Sequence, residues 1–146
     1  MSVDVLTEIV VDRPVDVVSA YAGDPSTAPE WYANIESVAW RTAPPAAVGS
    51  KVAFVARFLG RRLEYTYEVV ELVAGRRLVM RTAEGPFPME TTYTWEARTD
   101  ASTHMTLRNR GEPAGFSKVA APLMAGAMRR ANDKDLRRLK EILESR

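Results

Sequence analysis

Asp135 is the residue whose position in the sequence most strongly suggests chemistry. Counted at about 100° per residue, it falls inside the apolar stripe of a long C-terminal helical segment, between Ala131 and Leu139. A carboxylate in such a place must be paired or hydrogen-bonded, or its pKa must rise. It is either a general base at the edge of a cavity or a structural tie to an arginine, an indole N–H or a loop backbone. The structural tie is favoured for Asp135 and for Asn132, one turn earlier, because Asp135 lies in the half of the segment that anchors the helix.

Further polar candidates lie on the inner face of a predicted antiparallel sheet. Strand alternation places Tyr65, Tyr67, Tyr93 and Asn109 among apolar side chains, opposite a charged face. Polar tips within an apolar hollow are typical of a small-molecule pocket. These groups could polarise a ligand carbonyl, orient a bound lipid or hydrogen-bond to one another. None of them has the spacing of a catalytic motif, so binding or structure is favoured over catalysis.

The scarcity of histidine and cysteine argues against several kinds of site. The chain has no cysteine and a single histidine, His104. We therefore expect no metal site, no thiolate nucleophile, no Ser-His-Asp triad and no cofactor. His104 shares the charged face of its strand with Thr106 and Arg108, which predicts a surface position.

Length and charge indicate a single domain, residues 1–146, with no preference for polyanions. The 146 residues include 20 Lys and Arg against 19 Asp and Glu, a net charge of +1, which predicts no nucleic-acid partner. The C-terminal segment is locally basic, and at helical spacing this is typical of a solvated face. The N-terminus lacks a signal-peptide pattern, and no apolar run approaches ~20 residues. We expect a cytoplasmic monomer or homodimer without stable membrane insertion.

One strand, two short helices, six further strands and one long helix must position these side chains. Pro14 suits the start of the first short helix, and Gly23 and Pro25 follow its end. Short turns between the later strands predict an antiparallel meander. The predicted strands cover residues 3–11, 37–42, 51–59, 63–72, 78–83, 89–98 and 103–110, and the predicted helices cover residues 15–22, about 29–34 and 115–146.

The long helix divides into two halves of different pattern. Beyond Asn132 only one stripe is apolar, which is typical of a helix anchored on a core. Earlier in the helix nearly every side is apolar, because Leu123 and Ala127 point away from Met128. We interpret the second half as the anchor and the first half, rich in Ala and Met, as the wall of a cavity. The alternative is that the first half is simply more deeply buried.

Several motifs in this order resemble the START-like helix-grip superfamily (SRPBCC). They are TEIVVDRPVDVVSAYAGDP with the following EWYANIESV, the strand pair YEVVELVAGRRLVMRT, the strand GPFPMETTYTWEA and the helix end DLRRLKEILE. The sequence is most similar to the bacterial polyketide cyclase/dehydrase and lipid-transport group. The resemblance implies an α+β helix-grip fold, in which a curved antiparallel sheet of about seven strands wraps on the C-terminal helix, with two short helices after strand 1. It also implies that Trp31 and Tyr32 rim the cavity mouth, unless they fill the core.

The fold and the inner-face pattern together predict an apolar cavity between sheet and helix. The function we favour is a soluble binding protein for a hydrophobic small molecule, such as a lipid, polyketide or sterol-like compound. The alternatives are a cofactor-free polyketide aromatase/cyclase or dehydratase, and an adaptor that contacts other proteins through its basic helix face. The residues predicted to line the cavity and contact the ligand are Phe54, Phe58, Tyr65, Tyr67, Met80, Tyr93, Trp95, Leu107, Asn109, Met124 and Met128.

Overall fold

Seven antiparallel strands form one curled sheet against a long C-terminal helix. A computed structural model describes residues 3–58, 60–85, 88–112 and 121–146 of the chain. The strands are β1 (Val3–Val11), β2 (Ile35–Trp40), β3 (Lys51–Phe58), β4 (Arg61–Val73), β5 (Arg77–Glu84), β6 (Met89–Thr99) and β7 (Ser102–Gly111). Their order in the sheet is β1-β7-β6-β5-β4-β3-β2, so the last six strands form the predicted meander and β1 closes against β7.

Two short helices link β1 to β2, and the long helix follows the sheet. They are α1 (Val15–Ala22), α2 (Ala28–Trp31) and α3 (Ala121–Glu144). The second helix ends earlier than predicted, because Tyr32 already has an extended backbone. β2 accordingly begins and ends two residues before the predicted strand. The predicted helix start at residue 115 lies outside the described residues.

Strand alternation sorts the two faces of the sheet as predicted. On β3, Val52, Phe54 and Ala56 are buried between the exposed Lys51 and Arg57. Many of the side chains that point away from the helix are charged, and Arg81–Glu90 and Arg108–Asp4 form ion pairs across neighbouring strands. His104 lies on this outer face, with its Nε2 3.2 Å from Oε1 of Glu8.

Three leucines anchor the second half of α3 to the core. Leu136, Leu139 and Leu143 are each at most 1% exposed and share one buried cluster with the inner face of the sheet. The first half is less enclosed than predicted. The apolar pattern predicted that this half contacts protein, or something else apolar, on most sides, but Leu123 is 69% exposed. Its apolar outer side is open to solvent, and only the side that carries Met124 is buried.

Polar contacts hold the end of α3 to the start of the chain. Glu144 Oε2 accepts hydrogen bonds from the backbone N–H of Asp12 at 2.8 Å and from Lys140 Nζ at 2.6 Å. Lys140 also donates to the carbonyl oxygen of Val10 at 2.8 Å. These donors keep the pKa of Glu144 below its usual range. Among the described residues, no helix is both long and apolar enough to cross a bilayer.

Leu139→Ala should lower the free energy of unfolding by about 2–5 kcal/mol, because truncating a fully buried leucine leaves a void in the core. Leu123→Ala makes the same chemical change on the same helix and should cost less than about 0.5 kcal/mol, since Leu123 is mostly exposed. Urea unfolding followed by circular dichroism measures both variants. Equal losses would contradict the assignment of the anchor.

Candidate functional site

A cavity of about 160 Å³ lies between the inner face of the sheet, α3 and the segment that joins α1 to β2. Its apolar walls come from strands β3 to β6 and from the first half of α3, as the two-half interpretation of the helix predicted. The predicted residues that line this cavity are Phe54, Phe58, Tyr65, Tyr67, Met80, Tyr93, Asn109, Met124 and Met128.

Two predicted cavity residues, Trp95 and Leu107, do not line it. Both belong to the main buried cluster. Trp95 lies under the end of α1, so close that a Cβ added at Gly23 would be 3.2 Å from its indole ring. Leu107 is completely buried on β7, in the same cluster as Leu139. Alternation predicted the face of each residue correctly, but at these points α1 and the anchored half of α3 fill the hollow.

A chain of hydrogen bonds crosses one side of the cavity. Asn132 Nδ2 donates to Asn109 Oδ1 at 2.7 Å, and Asn109 Nδ2 donates to Thr91 Oγ1 at 2.9 Å. The Tyr67 hydroxyl lies 3.0 Å from the same Thr91 oxygen. Burial raises the pKa of Tyr67 to about 12, against the opposing effect of Thr91. Tyr67 and Asn109 are therefore paired with other protein groups, which was one of the roles proposed for them.

A second pair of polar groups is formed by Tyr32 and Tyr93, whose hydroxyl oxygens are 2.6 Å apart. Both residues line the cavity. Burial is the main reason that the pKa of each phenol lies above its usual range, and the Asp135 carboxylate raises both further. Both phenols are therefore neutral near pH 7. One hydroxyl of the pair donates to the other, and the accepting hydroxyl keeps its own proton for another partner.

Tyr65 presents a hydroxyl to the cavity without a hydrogen-bond partner among the described residues. Its ring stacks on Phe54, with the centroids 5.7 Å apart, and meets Tyr67 edge-on at 5.1 Å. Burial, and then the neighbouring Tyr67 and Tyr93, raise the pKa of this phenol well above its usual range. Tyr65 thus offers a neutral donor and acceptor to whatever occupies the cavity.

Asp135 makes the structural tie that the sequence favoured and also lies at the cavity. Its Oδ1 accepts a hydrogen bond from the backbone N–H of Ala33 at 3.1 Å, which is the predicted tie to a loop backbone. The residue is 2% exposed and also lines the cavity. Burial raises the pKa of Asp135 to about 6, although the Ala33 N–H and Lys134 both favour the ionised form.

Other cavity residues were missed at the sequence level. Thr91 and Met89 share the inner face of β6 with Tyr93, so the same alternation could have identified them. Tyr32 reaches the cavity, as the resemblance implied, whereas its pairing with Tyr93 had no signal in the sequence. Trp31 is 1% exposed within the core, and its Nε1 has no partner among the described residues. Within the same residues, no three His, Cys, Asp or Glu side chains are grouped as metal ligands.

The profile of a protein family described as polyketide cyclase / dehydrase and lipid transport matches residues 2–144. The chain belongs to this family. Membership accounts for the helix-grip architecture seen here, and the predicted fold class is confirmed. Membership of this family also suggests a ligand-binding or polyketide cyclase-like protein, and it leaves the ligand class open. No curated protein matches the chain in sequence.

Solved structures show the same fold at low sequence identity. A START superfamily protein from Mycobacterium smegmatis has a TM-score of 0.83 at 14% identity, with 97% of each chain covered. The Zhui aromatase/cyclase from Streptomyces sp. R1128 has a TM-score of 0.80 at 15% identity, over 99% of this chain and 94% of that one. The major latex-like protein 151 from Panax ginseng has a TM-score of 0.75 at 15% identity, over 96% of each chain. At these identities the likeness shows the fold alone.

The raised pKa of Asp135 predicts how the stability of the protein depends on pH. Its pKa rises from 3.8 to about 6 on folding, so the folded protein holds this proton more tightly than the unfolded chain. Between those values the folded state binds more protons, and stability must fall as pH rises. At ~1.4 kcal/mol per pKa unit, the loss between pH 3.5 and pH 7 is about 3 kcal/mol.

Asp135→Asn removes this titration and leaves the other groups in place. The free energy of unfolding of the wild type minus that of Asp135→Asn should therefore decrease by about 3 kcal/mol over that pH range, most steeply between pH 4 and 6. Urea unfolding at a series of pH values measures the difference. A difference that stays constant with pH would contradict a buried, titrating Asp135.

Proposed function

We propose that this protein binds a hydrophobic small molecule that carries at least one hydrogen-bonding group. The observation that carries the proposal is the Tyr65 hydroxyl, which faces an otherwise largely apolar cavity without a partner among the described residues. A polar group with no protein partner in an apolar pocket is available to fix the orientation of a ligand. A ligand that fills the cavity and carries a hydrogen-bonding group would bond to Tyr65.

The size of the cavity favours a compact ligand. Drug-sized ligands occupy pockets of about 300–1,000 Å³, whereas a cavity of about 150 Å³ holds a molecule such as benzene. At about 160 Å³ this cavity suits a molecule of one or two rings. A lipid, polyketide or sterol-like ligand would need the flexible Met80 and Met128 side chains to move aside. We therefore favour compact aromatic or alicyclic compounds over these larger ligands.

The cavity residues have distinct roles in this proposal. Phe54, Phe58, Met80, Met124 and Met128 contact the apolar body of the ligand, and the tyrosines and Asn109 orient its polar group. Trp95 and Leu107 support the cavity from behind, although the sequence predicted them as ligand contacts. The binding protein would act in the cytoplasm as a monomer or homodimer, without a nucleic-acid partner.

A pair of ligands of equal shape tests the role of Tyr65. Naphthol and methylnaphthalene differ by a hydroxyl in place of a methyl group, and the fluorescence of either reports binding. Tyr65→Phe should weaken naphthol binding by about 3- to 10-fold, the range of one hydrogen bond, and leave methylnaphthalene unchanged. Native mass spectrometry of the freshly purified protein provides an independent search for a bound apolar compound.

Tyr21→Phe is the matched control for this experiment. The Tyr21 hydroxyl is bonded to Glu30 Oε1 at 2.8 Å, and Tyr21 does not line the cavity. Its loss should change neither affinity. If neither ligand binds the wild type, the proposal fails; if both bind and Tyr65→Phe weakens neither, Tyr65 is not the anchor of the polar group.

A further inference from the structure

We propose that the cavity catalyses reversible removal of a proton next to the carbonyl group of a compact ketone. Asp135 would act as the base, and the Tyr32–Tyr93 hydroxyl pair would stabilise the resulting enolate. The inference rests on the proposed function, since the ketone must first enter the cavity. It goes beyond binding because it assigns a reaction to groups that binding alone does not require.

The state of the Asp135 carboxylate supports its role as base. Only Oδ1 accepts a hydrogen bond from a described residue, the Ala33 N–H at 3.1 Å. Oδ2 has no hydrogen-bond partner among the residues that the structure describes, and Asp135 lines the cavity. A structural tie needs one oxygen, so the second is free to accept a proton. Burial raises the pKa of the group to about 6, which leaves it ionised near pH 7 and a stronger base than an ordinary aspartate.

The Tyr32–Tyr93 pair supports the second role. The two oxygens are 2.6 Å apart, and both residues line the same cavity as Asp135. The accepting hydroxyl of the pair retains a proton that no described residue takes up. Asp135 raises the pKa of both phenols, which places its carboxylate within electrostatic range of them. Neutral phenols in an apolar cavity are strong donors to an oxygen on which negative charge develops.

The step balances without a cofactor. The Asp135 carboxylate takes the hydrogen on the carbon next to the carbonyl as a proton, and the electrons of that C–H bond form the carbon–carbon double bond of the enolate. The carbonyl π electrons move to the oxygen, which accepts a hydrogen bond from the tyrosine pair. The Asp135 carboxyl group then returns the proton. In D₂O the carboxyl proton exchanges with solvent before it is returned, so return to the same carbon replaces hydrogen by deuterium, and return to the γ carbon moves the double bond of a β,γ-unsaturated ketone into conjugation.

Hydrogen exchange into cyclohexanone tests the step directly. In D₂O buffer at pD 7.5, proton NMR follows the loss of the hydrogens next to the carbonyl. We expect the wild-type protein to accelerate this loss over buffer alone. Asp135→Asn should reduce the protein-dependent rate at least about tenfold, since a positioned base contributes roughly 10²–10⁴-fold. Tyr93→Phe should reduce the rate about tenfold and leave cyclohexanone binding, measured by saturation-transfer NMR, within a factor of three.

Asp133→Asn is the matched control, because it makes the same charge change two residues away on the same helix and Asp133 does not line the cavity. It should leave the rate unchanged. If cyclohexanone binds but exchanges no faster than in buffer, or if Asp133→Asn and Asp135→Asn lower the rate equally, the catalytic inference is wrong and the binding function stands. If cyclohexanone does not bind while naphthol does, compact ketones are not substrates and the inference is again overturned. If neither binds, the proposed function itself fails.

Discussion

The packing of Leu136, Leu139 and Leu143 on the inner face of the sheet is the contact on which the cavity depends. A helix is stiff over this length, so fixing its second half also fixes the path of its first half above the sheet. The side chains that face the cavity there include Met128 and Ala131, which are flexible or small. They cannot fill the space left by the curl of the sheet. The hollow is therefore a consequence of where the anchor ends.

The inner face carries more polar groups than a core requires, and the fold satisfies most of them internally. Asn109 and Tyr67 both hydrogen-bond to Thr91 Oγ1, which satisfies part of the hydrogen-bonding capacity of each. The Tyr65 hydroxyl and one oxygen of Asp135 remain without partners among the described residues. A polar group with no protein partner in an apolar pocket is available to a ligand. In the proposed function these two groups therefore give the cavity its chemical character.

The sequence predicted the fold well because the fold depends on local patterns. Alternation along the strands and the stripe on the last helix each follow from the geometry of one element. The depth of the cavity depends instead on contacts between elements. Trp95 and Leu107 were therefore predicted to line the cavity, although α1 and α3 cover them. The exposure of Leu123 was missed for the same reason, since an apolar side chain does not show whether a neighbour covers it. The pairing of Tyr32 with Tyr93 joins residues 61 positions apart and leaves no local trace.

The central claim is that a compact ligand enters the space between the sheet and the first half of α3, and methionine methyl groups report on it directly. Met80, Met89, Met124 and Met128 line the cavity, whereas Met105 is completely buried in the core outside it. In protein labelled with ¹³C at the methionine methyl groups, titration with naphthalene should shift the four cavity signals in a saturable way and leave the Met105 signal in place. Uniform small shifts at all methionines, or none at saturating ligand, would contradict the account.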